Sequence, residues 1–110
     1  KSVPDAIFAV NDMTAIGAIY ALNHNGVKVP DQTAIVGFTN GLISQVTTPQ
    51  LTTVDQNGEL IGTRAAALLI QRIETHEFTP FKTEIVKTDL IIRGSTDKNA
   101  AVITDVTSDQ

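Results

Sequence analysis

The 110-residue chain predicts an α/β fold, a mostly parallel open sheet with flanking helices. Three observations carry that expectation. An almost wholly apolar run over residues 6 to 10 ends in two polar side chains, Asn11 and Asp12, at the head of an amphipathic stretch. A second apolar run over residues 34 to 38 follows, and strand, helix, strand in that order implies a right-handed parallel crossover. A longer segment ending near residue 75 repeats small and apolar residues at helical spacing.

Taken in order, Pro4 and Asp5 punctuate the start of a strand, Ala6-Ile7-Phe8-Ala9-Val10, that suits burial on both faces. Residues 12 to 25 place Met13, Ile16 and Tyr20 on one side of a helix and Ala15, Ile19 and Leu22 nearly opposite. Two apolar stripes need two partners, the sheet and a further helix, lobe or chain. Asn25-Gly26 reads as the helix end, with glycine in the left-handed position. After Val29-Pro30-Asp31 comes the second buried strand, Ala34-Ile35-Val36-Gly37-Phe38. Thr39 to Gln50 reads as a loop, yet its Leu42, Ile43 and Val46 imply that something covers them. Leu51 to Asp55 forms a short third strand. Residues 57 or 58 to 75 form a helix whose stripe of Gly62, Ala65, Ala66, Leu69 and Ile73 permits close packing. Residues 83 to 93, rich in Thr, Ile and Val, read as one or two strands. The polar tail 97–110, with Val102, Ile103 and Val106 as its only anchors, is expected to be partly mobile.

Composition narrows the function. With 42% hydrophobic residues the chain supports one modest core, so it is one domain or a piece of a larger protein. A net charge of −4, with the basic residues scattered singly, gives no footprint for DNA or an anionic membrane surface. There is no cysteine, no membrane-spanning apolar run and no signal-peptide pattern, which favours a reducing, cytoplasmic setting. The start at Lys1-Ser2 rather than methionine suggests a fragment.

In an open α/β sheet ligands meet the carboxyl ends of the strands. Asn11 closes the first strand, Thr39 and Asn40 the second, and Gln56 the third, so three successive strand ends carry amide or hydroxyl groups. Asn11 or Asp12 has a plain alternative role as the helix N-cap, and Thr39-Asn40 as an ordinary turn. Asparagine nevertheless both donates and accepts, as a sugar hydroxyl or base edge requires. Catalysis finds no support in a glycine-rich phosphate loop, a Gly-x-Ser-x-Gly elbow or a cysteine nucleophile. His24 and His76 sit at helix ends away from acidic clusters, and Asp12 lacks the further carboxylates a Mg²⁺ site needs, so neither metal nor cofactor is expected.

Pro4 to Asp12, Ala15-Ile16-Gly17-Ala18, Val29-Pro30-Asp31 and Ile35-Val36-Gly37-Phe38 together resemble the LacI/GalR family of bacterial transcription regulators. Thr48 to Gln56, the helix with Ile61-Gly62 and Ala65-Ala66, and Leu90 to Thr96 continue the resemblance in order and spacing, which covers residues 3 to 96. It implies part of a periplasmic-binding-protein-like type I effector domain spanning residues 1–96. Residues 1–56 and about 87–96 would belong to the C-terminal lobe and about 57–86 to the N-terminal lobe. The family's helix-turn-helix and hinge helix are not in this chain, so operator DNA would be reached only through that missing part.

The resemblance further implies a small-molecule effector, such as a sugar, bound at Asn11, Thr39 and Gln56, which would shift the population of lobe angles. Position 39 in the family usually carries aspartate, whereas Thr39 offers a shorter, neutral hydroxyl. A homodimer is implied as well, with Ile16, Tyr20, Leu42, Ile43, Val46 and Thr47 as interface candidates or else packed within one chain. Parts of two lobes would leave apolar faces open, to be closed by repacking or by exchanging elements with a second copy. The rival readings are a monomeric periplasmic sugar-binding protein of a transporter and an enzyme with a flavodoxin-like sheet.

Overall fold

A computed structural model describes residues 2–75 and 80–100. The expectations for His76 and for residues 101–110 of the tail lie outside the described residues. The architecture is α/β, as the sequence predicts. Strand β1 (Ala6–Phe8) runs parallel to β2 (Ala34–Val36), pairing Ile7 with Ile35. Beyond the formal end of β1 the pairing continues, with the Ala9 N–H donating to Val36 O and the Asp12 N–H to Phe38 O. The other edge of β2 faces β3 (Thr53–Asp55) in parallel through Val36 and Thr52. Gly37 and Thr39 there donate their N–H groups to Thr52 O and Val54 O.

Helix α1 (Asp12–His24) starts where its cap is strongest, since Asn11 Oδ1 accepts from the Thr14 N–H at 2.8 Å. It ends where Gly26, at φ 75, turns the chain and Val27 N–H reaches back to Leu22 O. Of the two stripes, Ala15 and Ile19 go into the core with Ala9, Ile35 and Leu51. Met13 and Tyr20 stay outside, while Ile16 lies half-buried against the core.

Three expectations on local structure are corrected. The stretch 39–50 is not wholly loop, because Ile43–Val46 forms a helical turn, α2, held by Ser44 N–H and Oγ, both donating to Gly41 O. The third strand is shorter than 51–55, since Leu51 turns into the core and its N–H is taken by Ser44 O. Only Asp89–Ile91 of the 83–93 segment is a strand, β4, pairing antiparallel with β3 in the register Val54 to Leu90. β3 spans only three residues, so it can template no more of that segment.

Helix α3 (Gly58–Thr75) has the expected length but buries none of its residues. Its apolar Leu60, Ile61, Leu69, Ile70 and Ile73 all face solvent. The chain following it is tied on by exposed polar contacts, Arg64 to Glu84 at 3.4 Å and the Arg72 guanidinium over the Phe81 ring. Each contributes about 1 kcal/mol or less so near the surface. Among the described residues nothing closes this face, so the predicted repacking is not seen there.

Candidate functional site

The carboxyl edge of the sheet is built by a turn that water alone would not hold. Thr39 and Asn40 follow β2 with φ 127 and 55, both positive. Behind the turn sits Asp12, which the structure places inside the scaffold. Its Oδ1 accepts from the Thr53 hydroxyl at 2.6 Å and its Oδ2 from the Gly41 N–H at 2.7 Å. Both carboxylate oxygens are engaged in joining α1, β3 and the turn, which explains how a charged side chain tolerates 4% exposure. Among the described residues no group of three or more histidines or carboxylates stands close enough to hold a metal.

In front of this network the structure brings Thr39 and Gln56 together, Gln56 Nε2 donating to Thr39 Oγ1 at 3.2 Å. Asn11 lies on the neighbouring strand end, exposed, with its oxygen committed to the helix cap. Capping and ligand contact are therefore compatible at Asn11, because the cap uses only Oδ1 and the Nδ2 group is a separate donor. A hollow of about 450 Å³ opens beside this edge, between the end of β3 and the first turn of α3, lined by Asp55, Asn57, Glu59 and Thr63 among others.

Sequence reasoning missed the residues that brace the turn. Arg93 donates from Nη2 to Asn40 Oδ1 at 2.8 Å and from Nη1 to Ser44 Oγ and Leu51 O at 2.9 and 3.0 Å. Burial pushes the Arg93 pKa down, opposed by the carboxylates of Asp12 and then Asp55. The available signal was a lone arginine closing the apolar run Leu90-Ile91-Ile92. Ser95, wholly buried, donates to Ile35 O and accepts from the Thr52 N–H, wedging β2 and β3 together.

Asp55 holds the crossover into α3. Its carboxyl lies below its ordinary value of 3.8, first because the Asn57 N–H donates to it and then because Asn40 Nδ2 does, with Arg93 adding a smaller pull and burial opposing. A pKa depressed on folding contributes stability that is complete above pH 3.8 and disappears as pH falls through the folded value. Urea midpoints followed between about pH 2 and 5 should fall less steeply in Asp55→Asn than in the unmodified protein. Parallel acid limbs would show that Asp55 carries none of the loss.

On the α1 and α2 side, Tyr20, Leu42 and Val46 are 72%, 77% and 67% exposed, Ile43 less so, and Thr47 is partly covered. α1 and α2 lie against each other, and each leaves apolar side chains exposed, Ile16 only in part.

A family model described as a periplasmic binding protein-like domain matches residues 1–96. The lactose operon repressor of Rhizobium radiobacter is 38% identical over 98 residues, covering 89% of this chain and 85% of that relative. The chain belongs to the LacI family of transcriptional regulators. Among solved LacI-type structures, the transcriptional regulator CelR in complex with cellobiose is 33% identical, with a TM-score of 0.77 over 83% of this chain and 28% of that one. The lac repressor dimer bound to operator and the anti-inducer ONPF is 28% identical, with a TM-score of 0.77 over 86% of this chain and 28% of that one. Against other curated LacI-type relatives the chain spans about 29% of their length.

Proposed function

We propose that the chain is the effector-binding and dimerisation portion of a cytoplasmic LacI-type regulator, which senses a small neutral molecule, a sugar or related metabolite, to control a helix-turn-helix elsewhere in the protein. The observation that carries this reading is the line of three uncharged strand ends, Asn11, Thr39 and Gln56, with Thr39 and Gln56 in hydrogen-bond contact. Asn11 offers amide donors, Thr39 a hydroxyl donor and Gln56 an acceptor oxygen. That is the mixed, neutral set which sugar hydroxyls and ring oxygens match. The cellobiose complex of a relative supports the same ligand class.

In this reading residues 1–56 and about 87–96 form the C-terminal lobe, and 57–86 lend elements to the N-terminal lobe. Gln56 then stands at the crossover, where an effector held between lobes shifts the population of lobe angles and so the spacing of the DNA-binding heads. The test is operator release from the full-length protein on titration with neutral mono- and disaccharides, cellobiose among them. Thr39→Asp adds a charged acceptor, which should change affinity for at least one of these sugars about tenfold. Identical binding profiles for Thr39→Asp and the unmodified protein would sink the placement of the site.

The α1 and α2 surface is the proposed face for a second copy. Tyr20→Glu combined with Leu42→Lys should convert a dimer to monomer by light scattering while each chain stays folded. An unchanged mass would move the interface elsewhere. A transport receptor working as a monomer has no use for this exposed apolar surface, which favours the regulator over the transporter reading.

A further inference from the structure

We propose that Asn40 and Arg93 are positioning residues for the effector edge, holding Thr39 in its left-handed backbone conformation and so setting its hydroxyl against Gln56. The proposal rests on the reading of Asn11, Thr39 and Gln56 as that edge. A threonine at φ 127 is strained, since its branched side chain crowds the backbone there. Such a conformation persists only where its surroundings over-determine it. Three consecutive N–H groups of the turn are captured by different partners: Thr39 by Val54 O at 2.9 Å, Asn40 by the Thr53 hydroxyl at 3.2 Å, and Gly41 by the Asp12 carboxylate at 2.7 Å.

The Asn40 side chain completes the lock. Its Nδ2 donates to Asp55 Oδ2 at 3.0 Å while its Oδ1 accepts from Arg93. Arg93 is itself fixed, because its backbone N–H donates to Thr52 Oγ1 at 2.7 Å and its other guanidinium nitrogen spans Ser44 and Leu51. A planar fork can hold Asn40 and Ser44 at once, which a lysine ammonium cannot do in the same geometry. Among the described residues both bond to groups other than Gln56, so their influence on Gln56 passes through Thr39.

The experiment uses the full-length protein with ¹⁵N-labelled glutamine, as wild type, Thr39→Ala, Asn40→Ala and Arg93→Lys. The Gln56 side-chain amide is followed by NMR, and each version is titrated with cellobiose. Asn40→Ala and Arg93→Lys should each move the Gln56 amide resonance toward its Thr39→Ala position and weaken cellobiose binding about tenfold. A general loss of stability would leave the amide of the folded molecules where it was. A Gln56 resonance unchanged in either folded variant overturns the proposal, as does full cellobiose affinity in a variant whose resonance has moved. If Asn40→Ala does not fold, Arg93→Lys, which keeps the charge, decides alone. Should the resonance move while no version binds cellobiose, wild type included, the positioning of Thr39 stands and it is the ligand class that fails.

Discussion

Replacing Asp12 by alanine is expected to remove about 4 kcal/mol of folding stability, more than a typical surface carboxylate by a wide margin. The substitution strips the partner from the Thr53 hydroxyl, which is wholly buried, and from the Gly41 N–H, which is half-buried. It also takes away the carboxylate that counters the burial of Arg93. Each stranded polar group costs about 1–3 kcal/mol, and the hole left by the side chain adds to the loss. Chemical denaturation of the full-length protein gives the number directly. A loss under about 1 kcal/mol would mean that water replaces both contacts and that Asp12 is not the bolt between α1, β3 and the turn.

Gly37→Ala should be similarly severe for the opposite reason. A methyl at this position overlaps Asp12 Oδ1, lies 2.8 Å from Leu51 Cδ2 and lies 3.3 Å from the Asp12 Cα, which is backbone and cannot swing away. Leu51 is wholly buried, so it has nowhere to retreat. Overpacking of this kind costs about 3 kcal/mol, visible as a lowered denaturation midpoint or loss of soluble protein. The two substitutions address the same few cubic ångströms. Combined, they should cost at least about 1 kcal/mol less than their sum, because Asp12→Ala removes the first obstacle to the new methyl. Strict additivity would show that the backbone and Leu51, rather than the carboxylate, set the limit at Gly37.

What could be read from the sequence was what is encoded locally. The Asn11 cap, the Gly26 turn and the apolar runs of β1 and β2 depend on neighbours within a few residues, and the structure places α1, β1 and β2 accordingly. Thr39 and Gln56 were singled out because each ends a strand, and they stand in contact. Asn40 and Arg93 could not be joined in the same way, being 53 residues apart in the chain. Nor could Asp12 be told from a ligand group by its neighbours alone, since what occupies it comes from positions 41 and 53. The α3 stripe was legible as a pattern, but a pattern names a buried face without naming its partner. The short α2 escaped because its four residues are shaped by Gly41 and Leu51 rather than by periodicity.

The Ser95 wedge sets an order of events during synthesis. Its hydroxyl reaches Ile35 O at 2.6 Å across 60 residues of chain, and its backbone N–H and O close on Gln50 and Ile35. When a ribosome has released everything up to β3, the central pair of strands already exists as sequence. The gap between their first residues nevertheless stays open until the stretch after β4 emerges. A nascent chain paused anywhere in α3 therefore carries an unsealed sheet, together with a bare apolar helix, and both features invite chaperone attention before the last turn clicks home.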